Sequence, residues 1–352
     1  MEKQEDQVGV ELGYLEEQCE SWKLQSRFFP SKVGGKPAWV RLDSVPDADQ
    51  LQCRKCGDPT IFLLQLYAPF DGRAHIPAES VTKNFHRSLF VFICKNPDCC
   101  IRNNSDNVRV FRSSLPRKNK FYPFEPPDDI PDPLFSMENW TRLCRVCGCY
   151  ASKKCSRCRV ADYCSRTHQV HDWKYHKKEC GSILSERLSP LLFPEWEIIT
   201  EAEELDDVQS TDKDELWKFE KLKLDDGLGS MANVPENELE KYAESEEDTT
   251  FRKFQDRVKQ NPDQIIRYQK NGTPLWIAKQ PLPEKIPDCE HCGGPRRFEF
   301  QVMPQLLTFL HENTLDFGVL VVYTCEASCD DDGKYKEEFV FKQDVEVPEL
   351  EL

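Results

Sequence analysis

"KPAWVRLDSVPDADQLQCRKCG", Lys36 to Gly57, returns far downstream in altered form as "TPLWIAKQPLPEKIPDCEHCG", Thr273 to Gly293. Both run Pro-x-Trp-apolar, then a spacer bearing proline, then CxxCG. Trp39 precedes Cys53 by 14 residues and Trp276 precedes Cys289 by 13. Nine residues after the second cysteine of each comes a glutamine in an apolar run, Gln65 in "FLLQLYAP" and Gln301 in "FEFQVMP". A further apolar segment closes on a second cysteine pair, "LFVFICKNPDCC" with Cys94 and Cys99, and "VLVVYTCEASC" with Cys325 and Cys329. Eleven residues beyond, "VFR" at Val110 and "VFK" at Val340 open a matching last strand. Five landmarks in one order, at nearly equal spacings, predict two homologous β half-units in one chain.

Short runs of Val, Phe, Ile and Tyr bounded by Pro, Gly and Asn are strand signals. The expected fold class is therefore α+β, dominated by β. CxxC spacing brings two thiolates to one ion from a single tight turn, and a glycine after the second cysteine permits the turn. Zn2+ is the default ion for such spacing. Each half-unit is expected to hold one, on Cys53, Cys56, Cys94 and Cys99 and on Cys289, Cys292, Cys325 and Cys329; a small unit gains stability from such a clip. Cys100 competes with Cys99 for the first site. Trp39 and Trp276 read as core anchors, and the paired glycines of "SKVGGKPAW" as backbone left bare to meet a partner.

Composition limits the alternatives. The chain has 352 residues, 17 of them cysteine, 39% hydrophobic and 11% aromatic. "MEKQEDQVGVELGY" lacks the apolar stretch of a signal peptide, and runs such as "GVLVVYTC" fall short of the roughly 20 residues a membrane span needs. A soluble intracellular protein is expected, whose cysteines bind metal rather than form disulfides.

Between the half-units the text changes. "EPPDDIPDP", Glu125 to Pro133, reads as a Pro-rich acidic linker. Then come Cys144-x2-Cys147, Cys155-x2-Cys158, Cys164-x3-His168 and His176-x3-Cys180, eight ligands for two tetrahedral sites. The x3 pairs share a helical face, so two short helices are expected there. His171 could replace His168. Every ligand is Cys or His with no open position, which marks structural rather than catalytic zinc. Cys19 and Cys149 read as spare thiols, and His291 as solvent-facing. From Glu195 to Thr250 there are 20 Asp or Glu against five Lys, a mostly disordered tether by composition. Trp140 to Cys180 is basic, with ten Lys or Arg against three acids. The expected organisation is 1–124, 125–139, 140–180, 181–253 and 254–352: half-unit, Pro-rich linker, finger, acidic linker, half-unit. Since the finger carries its own ligands and sits between linkers, deleting Trp140 to Cys180 is expected to leave the rest folded.

The finger segment resembles a MYND zinc finger. That resemblance implies interleaved ligands, Cys144, Cys147, Cys164 and His168 for one zinc, Cys155, Cys158, His176 and Cys180 for the other, with His168 where the family usually has cysteine. It also implies binding of proline-containing peptides. Beyond the finger, "FPSKVGGKPAW", "FLLQLYAP", "FRSSLPRKN" before "FYPFEPP", "QIIRYQKNGTPLWI", "FEFQVMPQLL" and "EEFVFKQDV" resemble the programmed cell death protein 2 family over nearly the whole chain. The resemblance implies a dedicated chaperone, cytoplasmic and nuclear, that captures a nascent small-subunit ribosomal protein, the one called S-two in eukaryotes, for 40S assembly. Strand addition at an exposed edge is one route to such capture. Direct nucleic-acid binding is disfavoured by the net charge of −15. The rival expectation is a MYND adaptor recruiting corepressor-type partners. Catalysis is not expected, since neither a cofactor-binding glycine signature nor a nucleophile with a matching base stands out.

Overall fold

The computed structural model describes residues 9–70, 82–182, 187–204, 249–330 and 332–345. The first strands are β1 (Glu11–Glu16), β2 (Lys32–Val33), β3 (Ile61–Tyr67), β4 (His86–Ile93) and β5 (Val108–Leu115). The finger contributes β6 (Lys153–Lys154), β7 (Asp162–Tyr163) and the helix α1 (Arg166–Glu179). After it come β8 (Trp196–Ala202), the helix α2 (residues 249–260), β9 (Ile266–Tyr268) and β10 (Arg296–Val302). Helix α3 (Gln305–Leu310), β11 (Val319–Cys325) and β12 (Lys336–Gln343) complete the chain.

Ten strands close into one barrel in the order β1-β8-β2-β3-β4-β5-β12-β11-β10-β9. Two antiparallel meanders, β3-β4-β5 and β10-β11-β12, meet where β5 pairs with β12, with Val110 opposite Glu338 and Arg112 opposite Lys336. Each meander has a bulge at the same place in its first strand, between Phe62 and Leu64 and between Phe298 and Phe300. Gln65 accepts from the Ala38 N–H and Gln301 from the Leu275 N–H, so each tethers the residue before its tryptophan.

Alternate residues of β4 enter different cores: Leu89, Val91 and Ile93 point into the lumen, and Phe90 and Phe92 outward. Both faces are covered, which is why these strands read as unbroken apolar runs. The lumen core also takes Phe300, Val302, Leu320, Val322 and Val340 from the second meander. That meander's outer face, with Val319, Val321 and Phe298, packs with Phe254 of α2 and with Ile277. Trp39 is fully buried, as its reading as an anchor requires; Trp276 is only partly buried, edge-on to Phe341.

Two expectations change. The acidic linker is not all linker: β8 lies inside it and inserts between β1 and β2. Ile198, Leu192 and Phe193 belong to the lumen core, and their burial decides against the surrounding charge. Residues 205–248, the rest of that linker, lie outside the described residues. The partner of the paired glycines is this same segment: Gly35 N–H donates to Phe193 O at 3.0 Å, and a Cβ on Gly34 would lie 1.8 Å from Pro194 O.

Nor is the finger a detachable insertion. Its Cys144, Val146, Cys147, Ala151 and Tyr163 share one core with Trp39, Leu42, Phe62, Phe90 and Phe92 on the outer face of the first meander. Trp39 Nε1 donates to Gly148 O at 2.7 Å. Deleting residues 140–180 would bare that aromatic face, so the remaining barrel is not expected to fold unchanged.

One end of the lumen is ionic. Arg87 of β4 and Glu299 of β10 are fully buried, with three strands between them in barrel order, and meet across the interior with Nη2 to Oε2 at 2.7 Å. Tyr268 also donates to Glu299 at 3.0 Å, and Lys270 stands at 3.6 Å. Beside them Glu338 accepts from Arg112 at 2.7 Å and from Arg296 at 3.0 Å. Burial opposes ionisation of Glu299, but Arg87 and Lys270 outweigh it and hold the carboxyl well below the usual carboxylate range. The same burial pulls Lys270 down to about 8.

Glu299→Gln keeps the shape and leaves Arg87 uncompensated, so it should cost about 3–5 kcal/mol in chemical denaturation. Since the folded carboxyl titrates below its unfolded value of about 4.3, its stabilisation is complete above that pH and is lost as pH falls further. The stability of the native chain should therefore fall more steeply below about pH 4 than that of Glu299→Gln.

Candidate metal centres

Four knuckles present the ligands, and one hydrogen bond recurs in all of them. The N–H four residues after the first cysteine donates back to that cysteine's carbonyl: Gly57 to Cys53, Gly148 to Cys144, Arg159 to Cys155 and Gly293 to Cys289, at 2.8–2.9 Å. The donor must adopt positive φ. Three are glycines at +69° to +75°, and Arg159 holds φ +58° without that freedom.

The second half of each barrel centre lies at a strand end. Cys94 follows β4, and Cys99 sits on a short turn, Pro97–Cys99, capped by the Asn96 side chain. Cys325 ends β11, with Cys329 four residues on. Because strand direction alternates around the barrel, these two centres stand at its opposite ends.

The finger's C-terminal ligands ride on a single helix, not two. Ser165 caps α1 by accepting from the His168 N–H at 3.1 Å, and Cys180 is the residue that ends it. His168 and His176 are eight residues apart, so at about 100° per residue they face roughly 80° apart and serve different centres from one continuous helix.

The sixteen side chains singled out in the sequence gather into four groups, in each of which all ligand atoms lie within 4.8 Å of one another. These are Cys53, Cys56, Cys94 and Cys99; Cys144, Cys147, Cys164 and His168; Cys155, Cys158, His176 and Cys180; and Cys289, Cys292, Cys325 and Cys329. Cys99, not Cys100, joins the first group; Cys100 Sγ instead contacts Asp316 O at 2.9 Å. His168 presents Nδ1 to Cys164 at 3.1 Å, whereas His171 belongs to no group.

A zinc ion about 2.3 Å from four sulfurs spaces them roughly 3.8 Å apart. Sulfur pairs within the groups include Cys56–Cys94 at 3.7 Å, Cys292–Cys325 at 3.5 Å, Cys147–Cys164 at 3.6 Å and Cys155–Cys180 at 4.0 Å. These are far too long for disulfides, whose S–S bond is about 2.05 Å. Electrostatics agrees: burial, then the Cys56 and Cys53 thiols, push the Cys99 thiol up to about 11, so its ionisation beside them calls for a cation. The donor sets fit zinc, and each is complete without water or substrate, as in a structural centre.

The centre near the ionic end of the lumen is embedded in charge that sequence reading missed. Arg112 donates to Cys329 O at 3.1 Å, Glu338 accepts from the Cys325 N–H at 3.0 Å, and Arg296 reaches Asp288 O at 2.7 Å, just before Cys289. The only signal was charge inside strongly apolar strands, as in "VRVFRSSL" and "EEFVF".

His168→Ala should speed chelator-driven zinc release from the finger by more than the roughly 10–100-fold typical of losing an outer-shell partner. His168→Cys should restore retention and His171→Ala leave it unchanged, as followed with a chromogenic zinc indicator.

Comparison with known proteins agrees with this geometry. Residues 9–129 match the family "Programmed cell death protein 2, N-terminal domain", residues 248–344 the corresponding C-terminal putative domain, and residues 144–180 the MYND finger. Programmed cell death protein 2 of Rattus norvegicus is 44% identical over 96% of this chain and 97% of its own length. Programmed cell death protein 2-like of Mus musculus is 28% identical over 87% of each chain. A Schizosaccharomyces pombe protein named "Probable 20S rRNA accumulation protein 4" is 31% identical over 29% of each. No solved structure gives a significant match. With near full-length similarity of this degree, and its finger set between matched N- and C-terminal domains, the chain belongs to the programmed cell death protein 2 family.

Proposed function

We propose that this protein is a dedicated chaperone, not an enzyme, that holds a newly made small-subunit ribosomal protein, S-two, for 40S assembly, working in cytoplasm and nucleus. The observation that carries the reading is the distribution of charge. Residues 195–250 hold 20 acids and five lysines, in a chain whose net charge is −15. The stretch begins one residue before β8 and ends in α2, so both its ends are tied to the barrel. Ribosomal proteins are strongly basic, and an anionic tether beside a rigid body steers and screens such a client. A relative whose name ties it to 20S rRNA supports the ribosomal setting. The same charge disfavours direct contact with nucleic acid.

In this reading the two meanders are duplicated half-units, each with its own zinc. The shared bulge, the glutamine tether and the β5–β12 register support it: extended by one residue, that register sets Arg109 opposite Phe339, positions equivalent in the two repeats. Four zinc ions per chain are expected by metal analysis of the purified protein, and a value of two would remove the half-unit centres while leaving the finger.

The finger supports a second role as a protein-interaction module. Val160, Val170 and Trp173 are exposed on it among basic residues, a surface suited to proline-containing peptides. The corepressor-adaptor reading rests on that surface.

Affinity purification of the tagged chain from actively translating cells should recover one ribosomal protein at near-stoichiometric yield; chromatin regulators in its place would favour the adaptor. Because β8 belongs to the barrel, an acidic-segment deletion should start after Glu204. Removing residues 205–248 should slow capture at low salt more than it weakens the finished complex, since exposed charges beyond roughly 8 Å are screened at about 0.15 M salt.

A further inference from the structure

Strand β8 is paired unequally along its two edges. Toward β1 it is paired throughout, Glu197 with Glu16, Ile199 with Tyr14 and Glu201 with Leu12. On the other side β2 reaches only Trp196 and Glu197, and the last bond there is Ile198 N–H to Ser31 O at 2.9 Å. Hydrogen-bonding direction alternates along a strand. Ile198 points away from β1, so Thr200 and Ala202 do too, and among the described residues their outward N–H and C=O groups have no partner. Ile199, Thr200, Glu201 and Ala202 are all exposed. Among the described residues the barrel thus has a short open edge here, beside the end of β8.

The side chains of that edge have a definite sequence. Glu197, Ile199 and Glu201 share one face by alternation, two carboxylates flanking an exposed isoleucine, and Glu16 stands opposite Glu197. No cation pairs with Glu197 or Glu201 among the described residues. We propose that the outward edge of β8 at Thr200–Ala202 adds an extended segment of a partner protein in which an apolar residue alternates with a basic one. The segment's main chain bonds Thr200 and Ala202, its apolar residue covers Ile199 and its basic side chain meets Glu201; the place opposite Glu197 is held by Lys32 of β2. The sign of the charge selects the occupant. A second β8 would set carboxylate against carboxylate, and residues 205–248 of this chain are themselves acidic in sequence. Charged edges deter indiscriminate strand pairing, and here the deterrent spares a basic strand. This deepens the chaperone reading and rests on it for the identity of the partner, but not for the edge.

The test uses the full chain and a labelled synthetic peptide, Thr-Arg-Thr-Val-Thr-Arg-Thr, with its two arginines replaced by glutamates as control. Fluorescence anisotropy at low salt should show binding of the basic peptide and not of the control. Thr200→Pro removes one outward N–H without touching the β1 pairing, a substitution an edge tolerates, and should weaken binding about tenfold. Thr200→Val keeps the N–H and should bind as the native chain does; equal melting curves check that both variants fold. Hydrogen exchange gives a signature independent of the variants: peptide should slow the Thr200 and Ala202 amides and leave those of Ile199 and Glu201, already bonded to β1, unchanged. Undiminished binding by Thr200→Pro, protection without that alternation, or Thr200 and Ala202 amides already protected in the free chain would each overturn the proposal. A Thr200→Pro chain that still carries its full complement of ribosomal protein from cells would refute this edge as the contact and leave the chaperone reading standing. Alternating protection by peptide in a chain that carries no ribosomal protein would do the reverse.

Discussion

Backbone pairing joins the two meanders through only a short ladder, and inside that seam lie the buried ions. Arg87 and Glu299 come from strands that do not touch, one in each meander, so their contact spans the lumen and holds the far walls at a fixed separation. Glu338 does the same at the seam itself, accepting from Arg112 of β5 and Arg296 of β10. Neither pair is cheap to bury, and apolar residues of like volume often do as well. What the ions add is direction: a leucine in place of Glu299 would tolerate several wall spacings and registers, whereas a carboxylate between Arg87, Lys270 and Tyr268 tolerates one.

That constraint extends to both kinds of metal centre. Arg112 and Arg296 also bond the carbonyls of Cys329 and Asp288, so the ionic lumen and the nearer cysteine group orient each other. From Cys329 the chain runs to Tyr335, which leaves its own half and packs between Trp39 and Phe90, its hydroxyl donating to Arg41 O and accepting from Arg41 N–H. Trp39 in turn donates to Gly148 O, inside the finger's first knuckle. One continuous set of contacts therefore runs from a cysteine group in the second half, through the outer core of the first half, into the finger. The finger is placed by barrel residues on both sides of it in sequence, so it is not the free-standing insertion that its own complete ligand set suggested.

The ligands were legible because their information is local. CxxC, a following glycine and x3 spacing each report on a single turn, whereas the interleaved grouping within the finger came from its resemblance to MYND fingers. The strands of the two meanders were legible because both faces are buried, leaving long apolar runs. The closure of the barrel was not, since Val110 and Glu338 carry no mark of each other across the intervening sequence. Strand β8 was hidden for a different reason. "WEIITEA" alternates like a strand, but it sits at the head of an acidic stretch whose composition dominates any window, and only Ile198 is buried in it. The single helix of the finger was missed because two i, i+4 pairs are equally compatible with two turns or with one rod.

The paired glycines tie these points together. Read alone, "VGG" looks like bare backbone awaiting a partner, and the inference was chemically right but directed at the wrong chain. Gly34 and Gly35 admit Phe193 to Glu195 at distances no side chain would allow, and Lys32 pairs with Glu195 there. This crossing returns the chain from the finger to the barrel and lays β8 against β1. Strand β2 ends at Val33, one residue before the crossing, because Gly34 and Gly35 turn at positive φ and the pairing with β8 cannot continue. The glycines bring β8 into the barrel, while Thr200 and Ala202 are left uncovered by the other end of β2: its register would set Phe29 opposite Thr200, and there residues 26–28 form a turn and Phe29 holds φ +50°. The open edge of β8 is thus a geometric consequence of how the chain enters β2, from a turn that cannot run on alongside β8.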